Sequence, residues 1–228
     1  MAKAPRRTGR KTARAAAATT AGAASADPRE RVVDAFMALV AEHGLDKVEL
    51  ADIAGRAGIT LAELRGLYPG RLAILADFSR RIDRAVLAGG VAAGSDEEAR
   101  DRLFDVMMRR FDALAPYKEA IRRVARAARC DPALASALHG IALGAQKWNL
   151  AAAGVHKAGA LRLVAAEGMV LVYAETMRTW LDDDDPDLGR TMAALDRALR
   201  RGEQAMRVIA AACSLVPRFA GRLRRAGA

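Results

Sequence analysis

Aromatic residues are scarce in this chain of 228 residues: five Phe, three Tyr and two Trp make up 4%. Its core must therefore be filled mainly by Ala, Leu, Val and Met, and the alanine-rich composition favours helix. Cysteine is scarcer still. Cys130 and Cys213 are too few for a disulfide framework and are expected as free thiols in a reducing cytoplasm. No apolar run reaches the ~18 residues of a membrane span, and there is no apolar core of a signal peptide. No stretch alternates apolar and polar residues as a half-buried strand would. His43, His139 and His156 have no cysteine or carboxylate at metal-ligand spacing. There is no glycine-rich phosphate loop and no Ser/His/Asp pattern. The reading is therefore of no enzyme, no metal and no cofactor.

What the chain does have is apolar helix formers and positive charge. Hydrophobic residues are 52% and the net charge is +10, which fits an anionic partner, either nucleic acid or a membrane surface. The length fits one compact all-helical unit, or two small ones sharing a core. The charge is uneven. Residues 1–27 carry Lys3, Arg6, Arg7, Arg10, Lys11 and Arg14 against one acid, Asp27, and so hold half of the excess. Residues 1–26 have no apolar periodicity and are expected to be a disordered tail. Three readings of it stay open: an arm that grips phosphates or enters a minor groove, a solubilising tail, and an Arg-rich, acid-poor transit peptide.

From Asp27 onward the pattern is helical. Asp27-Pro28-Arg29-Glu30 has an N-cap, a proline at the first helical position and an acid in the first turn. The first predicted helix ends at His43, with Val32, Val33, Phe36, Leu39 and Val40 inward and Gly44 as terminator. In Val48 to Arg71, Leu50, Ile53, Ala54 and Ala57 fall on one helical face. Gly58 stops that helix, because the position past a helix end often needs positive φ. Thr60 and Glu63 form a capping box for a short helix, Leu64 and Leu67 face inward, and Tyr68-Pro69-Gly70 closes it. Two helices at a glycine turn make a helix-turn-helix, whose second helix can enter the major groove.

Asp52-Ile53-Ala54, Ala57-Gly58-Ile59-Thr60, Leu64, Tyr68-Pro69 and Arg71 resemble the N-terminal domain of TetR-family transcriptional regulators. The resemblance covers roughly residues 28–88. It implies an all-α fold, a three-helix head with a larger helical domain behind it, binding to double-stranded DNA, and a homodimer. In the head, Lys47, Arg56, Thr60, Tyr68 and Arg71 are of the types that position phosphates. The second helix presents Leu61, Ala62, Arg65 and Gly66 outward, and only Arg65 is of a type that commonly reads base edges.

A fourth helix is predicted over Arg71 to Ala88, with Leu72, Leu75, Phe78, Ile82 and Leu87 inward, followed by a small-residue linker, Gly89 to Gly94. The domains are thus read as 1–26, 27–88, 95–203 and 204–228. Ser95-Asp96-Glu97-Glu98 reads as a capping box. Later helix starts are read at Pro116, at Asp131-Pro132 and at Asp185-Pro186, with a long helix between them over Leu161 to Leu181. Lys118, Arg122, Arg123, Arg126 and Arg129 are expected mostly outward. Asp182 to Asp185 could suggest Mg²⁺, but a solvated corner before a helix start is the simpler reading. Phe104, Met107, Met108, Phe111, Tyr117, Leu143, Trp148, Met169, Tyr173, Met177 and Trp180 could line an apolar pocket or could be ordinary core. Met206, Ile209, Cys213, Val216 and Phe219 make an apolar stripe on a basic last helix, broken at Pro217. That stripe suits an anionic membrane surface, this subunit or a dimer mate.

Tyr173, Trp180-Leu181-Asp182, Pro186-Asp187, Thr191, Ala194-Leu195-Asp196-Arg197 and Leu199 are similar to the C-terminal domain of the lipid-binding proteins of ubiquinone biosynthesis. Aromatic residues of that family are missing near Met192 and Ala193. This second resemblance implies a TetR fold without DNA binding, an isoprenoid ligand in the core, and peripheral membrane contact through 205–225. The first implies a bacterial cytoplasmic regulator gated by an apolar ligand.

Overall fold

A computed structural model describes residues 27–90 and 98–226, with side chains through residue 212. Every regular element among them is a helix. Helix α1 (Pro28–His43) starts as the sequence predicts, with the Asp27 carboxylate accepting from the Arg29 N–H at 3.0 Å. Gly44, at φ 87°, ends it and leads into a 3₁₀ turn, Leu45–Lys47. Then come α2 (Leu50–Ala57), α3 (Leu61–Leu67) and α4 (Arg71–Ala88). Helix α5 (Ala99–Leu114) has Glu98 at its N-cap position, and the capping box expected at Ser95 lies outside the described residues. A 3₁₀ turn, Ala115–Tyr117, precedes α6 (Lys118–Ala127), so Pro116 sits in a turn rather than opening a helix. Helices α7 (Pro132–Ala152), α8 (Ala160–Leu181) and α9 (Gly189–Ala226) complete the body.

The core is continuous from head to body. Phe36, Ile53 and Ile74 are fully buried in the head and Phe111, Met107 and Leu195 in the body, all within one apolar cluster. Helix α1 packs on α6, and α4 packs on α5 and α7, so the fourth helix is held from both sides. Tyr117 is pinned at this junction. Its ring meets the Phe78 ring edge-on at 4.9 Å, and its hydroxyl accepts from Arg81 at 2.7 Å. Arg81 also bridges to Glu30 and Asp34 of α1.

The sequence reading needs correction at several points. Leu50 and Leu72, read as inward, are exposed, because each occupies the first turn of its helix, where the chain has not yet reached the core. Lys118 and Arg122, read as outward, reach the carbonyl oxygens of Asp183 and Leu181 at the end of α8, where the helix dipole favours cations.

The largest correction concerns α9. It begins at Gly189 rather than at Pro186 and runs 38 residues without a break, through the positions read as two segments and past Pro217. Asp183 decides where it starts. This carboxylate is buried, not solvated, and accepts from the N–H of Thr191 at 2.9 Å and from its hydroxyl at 2.7 Å. Those bonds hold it below the usual carboxylate range. The chain between bends through an Asx turn at Asp185 and through Leu188, whose φ of 51° lies in the left-handed region. Gly202 does not interrupt the helix. One interior glycine costs only about 1 kcal/mol, and this one faces Val172 of α8.

Candidate nucleic-acid interface

The turn between α2 and α3 is built from backbone requirements outward. Gly58 has φ 66° and ψ 39°, the left-handed conformation that lets the chain leave α2 sharply. The Ile59 N–H then donates back to the Ala54 carbonyl at 3.0 Å. At the start of α3 the capping box forms in full. The Glu63 N–H donates to Thr60 Oγ1 at 3.2 Å, and Glu63 Oε2 accepts from the Thr60 N–H at 2.7 Å and from its hydroxyl at 2.8 Å. These bonds from Thr60 hold the Glu63 carboxyl below its ordinary range.

Leu64 anchors α3 to the core, which leaves Leu61, Ala62, Arg65 and Gly66 facing solvent. Leu61 is 54% exposed. A Cβ built at Gly66 would meet nothing within 4 Å, so neither space nor backbone conformation requires glycine there.

The expected phosphate set divides in three. Lys47, on the 3₁₀ turn, and Thr60 are exposed. Arg56 and Arg71 are exposed but engaged. Arg56 makes two 2.6 Å bonds to the Glu42 carboxylate, while Arg71 Nη1 donates to the carbonyls of Leu45 and Val48 at 2.8 and 2.9 Å. Arg71 thus ties the turn carrying Lys47 to the start of α4. Tyr68 departs from the expected set. It is only 4% exposed, its hydroxyl donates to Asp77, and Arg29 lies over its ring at 5.0 Å. Burial and the Asp77 carboxylate push its pKa up to about 12. It is a floor under the interface rather than part of its surface: its backbone is extended before Pro69, and its side chain is held by Asp77 of α4 and Arg29 of α1.

Solved structures give this arrangement a fold. A TetR transcriptional regulator from Nitrosomonas europaea matches with a TM-score of 0.62 at 22% identity, over 78% of this chain and 99% of that one. One from Rhodococcus sp. RHA1 matches at 0.54 and 19%, over 77% and 95%. One from Streptomyces coelicolor matches at 0.52 and 19%, over 83% and 89%. The fold is TetR-like. No protein-family model matches the sequence, and no curated protein does.

In this TetR-like body the residues expected to line one apolar pocket lie in different places. Phe111 packs against Tyr173 with ring centroids 5.9 Å apart and against Trp180 at 5.6 Å, so these rings fill the core they were expected to line. Met107 and Met169 are buried, while Phe104, Met108, Leu143 and Met177 are partly buried. Tyr117 belongs to the head–body junction. Trp148 is 58% exposed on α7. Of the terminal stripe, Met206 and Ile209 are half-buried, and Cys213, Val216 and Phe219 lie outside the described side chains. No helix among the described residues is long and apolar enough to cross a membrane.

The sequence reading passed over the buried polar groups of the body. Arg110 is sandwiched between the Asp83 carboxylate and the Tyr173 ring, 5.5 Å from its centroid. Gln146 and Asn149 are buried side by side, linked by a 3.0 Å bond. One Arg in a helix rich in Arg gives no signal of burial; only the apolar spacing of Met107, Arg110, Phe111 and Leu114 could have placed it inward.

Proposed function

We propose that this protein is a DNA-binding transcriptional regulator of the TetR type, acting as a homodimer and gated by an apolar ligand. The observation that carries the reading is α3 itself: a short helix, capped and anchored by Leu64, with Arg65 and Leu61 pointing away from the protein. Lys47, Arg56 and Arg71 flank it as phosphate contacts, and Thr60 stands at its start. With Arg65 as the main base reader and Leu61 fit to touch thymine methyls, sequence discrimination is modest.

The homodimer is supported by α8 and α9, which pack on each other yet leave Leu163, Leu171 and Val208 uncovered, Leu171 at 72% and Val208 at 70% exposure. A second copy against this face would bury them and set two heads on successive major-groove faces. The ligand's seat is the ring cluster of Phe111, Tyr173 and Trp180, reached by parting the helices around it. Such a ligand shifts DNA affinity by its differential binding to the open and packed states.

The test is selection of genomic DNA fragments by the full-length protein at physiological salt. Recovery of specific fragments is expected. Lys47→Ala should weaken binding to all fragments alike and lower the salt slope by about 1, while Arg65→Ala should relax specificity at one base position. Retention of no fragment above the non-specific level refutes the regulator reading.

A second reading, a lipid-binding and membrane-touching accessory protein of ubiquinone biosynthesis, is favoured by one observation. Helix α9 has 38 residues against 22 in its partner α8, and Val208, midway along it, is exposed. Liposome binding that needs residues 205–225, with no DNA retained, would support it.

A further inference from the structure

Trp148 is the one large aromatic among the described residues with more than half of its surface exposed, and it stands at the edge of a cleft. The cleft, of about 390 Å³ between α1, α4 and α7, is lined on its apolar side by Trp148, Val33 and Leu87. The volume lies within the ~300–1,000 Å³ of small-molecule sites. An exposed indole beside aliphatic side chains suits a flat ring.

The charges around the cleft select the sign of its occupant. Arg29, Arg80, Arg81 and Arg84 line it, with Asp27, Glu30, Asp77 and Asp83. The acids are committed, two of them to groups outside the cleft. Asp83 is buried against Arg110, and Asp77 accepts from the Tyr68 hydroxyl and from Arg80. Asp27 caps α1, and Glu30 accepts from Arg81 at 3.0 Å. One of the arginines is less occupied. The Arg84 side chain is 68% exposed, and its contact with Glu30 is 3.5 Å long, at the limit of a hydrogen bond. Arg80 is exposed too, but it is engaged, donating to the Asp77 carboxylate at 3.0 Å. The cleft therefore offers one loosely held guanidinium, Arg84, beside the exposed Trp148, while each of its four carboxylates already accepts at least one hydrogen bond.

We infer that this cleft binds a flat aromatic anion, such as an aromatic carboxylate, its ring on Trp148 and its charge on Arg84. The site rests on the cleft alone and stands or falls independently of DNA binding. Because α1 belongs to the head and α7 to the body, an occupant touches both.

The test is calorimetric titration of the full-length protein with 2-naphthoate, with 2-naphthylmethanol and 2-naphthylmethylammonium as charge controls. The naphthoate is expected to bind once per chain, and the alcohol to bind at least about tenfold more weakly, a gap of ~1.4 kcal/mol. Trp148→Ala and Arg84→Ala should each weaken naphthoate binding by about tenfold or more. Trp148→Phe, which keeps a ring, should retain it, and Lys147→Ala, one residue away on α7, should leave it unchanged. Circular dichroism of each variant checks the fold. No naphthoate binding, affinity unmoved by both alanine variants, or tighter binding of the ammonium overturns the assignment.

Discussion

The starts of α3 and α9 meet the same need, since both helices must satisfy N–H groups that have no partner within the helix. They meet it differently. In the head, Thr60 and Glu63 are three residues apart, exposed, and serve each other. In the body, Asp183 is buried and reaches across a seven-residue corner to Thr191. The difference extends beyond these caps. The turn of the head is shaped by short-range chemistry near its surface, whereas the body, and its junction with α4, carry buried or half-buried polar contacts between distant residues, such as Asp83 with Arg110 and Lys118 with the Asp183 carbonyl. Groups that stay near water lose little when broken; groups sealed in the core lose a partner that water cannot replace.

The sharpest way to break this contrast is to remove one half of the Asp83–Arg110 pair. Asp83→Ala strands a guanidinium in the core and should cost about 3–5 kcal/mol, whereas the double replacement Asp83→Leu with Arg110→Met should be near neutral. Denaturant unfolding of the two variants decides it; a single variant as stable as the parent would erase the distinction.

A smaller effect separates two glycines of the head. Gly58→Ala forces a side chain into the left-handed region and should destabilise by about 1–2 kcal/mol. Gly66→Ala, in open helix, should instead stabilise by up to about 1 kcal/mol. Thermal melts of both variants check the opposite signs.

The smallest effect is the pH response. Tyr68 has its pKa raised to about 12 from an ordinary value of 10.0, so the folded state holds its proton longer than the unfolded chain. Its contribution is complete below pH 10.0 and is lost as pH rises toward 12. Tyr68→Phe should flatten that part of the stability curve. Asp183 works in the opposite direction: its lowered pKa gives stability that is lost as the solution turns acid. Parallel unfolding measurements at both extremes of pH separate the two.

The same contrast explains what the sequence could tell. Helix starts at Asp27-Pro28, Thr60 and Asp131-Pro132, and stops at Gly44 and Gly58, were legible because their chemistry lies within a few residues of the chain. The all-α fold followed from them. Asp185-Pro186 carried an equally good local signal and misled, because Asp183 outcompetes it as the group that opens α9. Arg65 and Leu61 stand exposed where the helical spacing put them, and Lys47, chosen by residue type, is exposed on the turn before α2. Tyr68 does not, since its burial depends on Asp77 and Arg29, neither of which is its neighbour in sequence. Trp148 was read as pocket-lining from its chemistry alone, and only the packing of α7 on α4 reveals that it faces charged residues instead.

The continuous core has a consequence for how this protein can change over generations. Tyr117 lies in the body chain, yet its partners Phe78 and Arg81 lie on the helix that carries the head, and Arg81 passes the contact on to Glu30 and Asp34. A head transplanted from another regulator would arrive without this seat. Inheritance must therefore alter the two faces in step, and a hybrid joined at the linker should misfit unless Tyr117 and its neighbours travel with it.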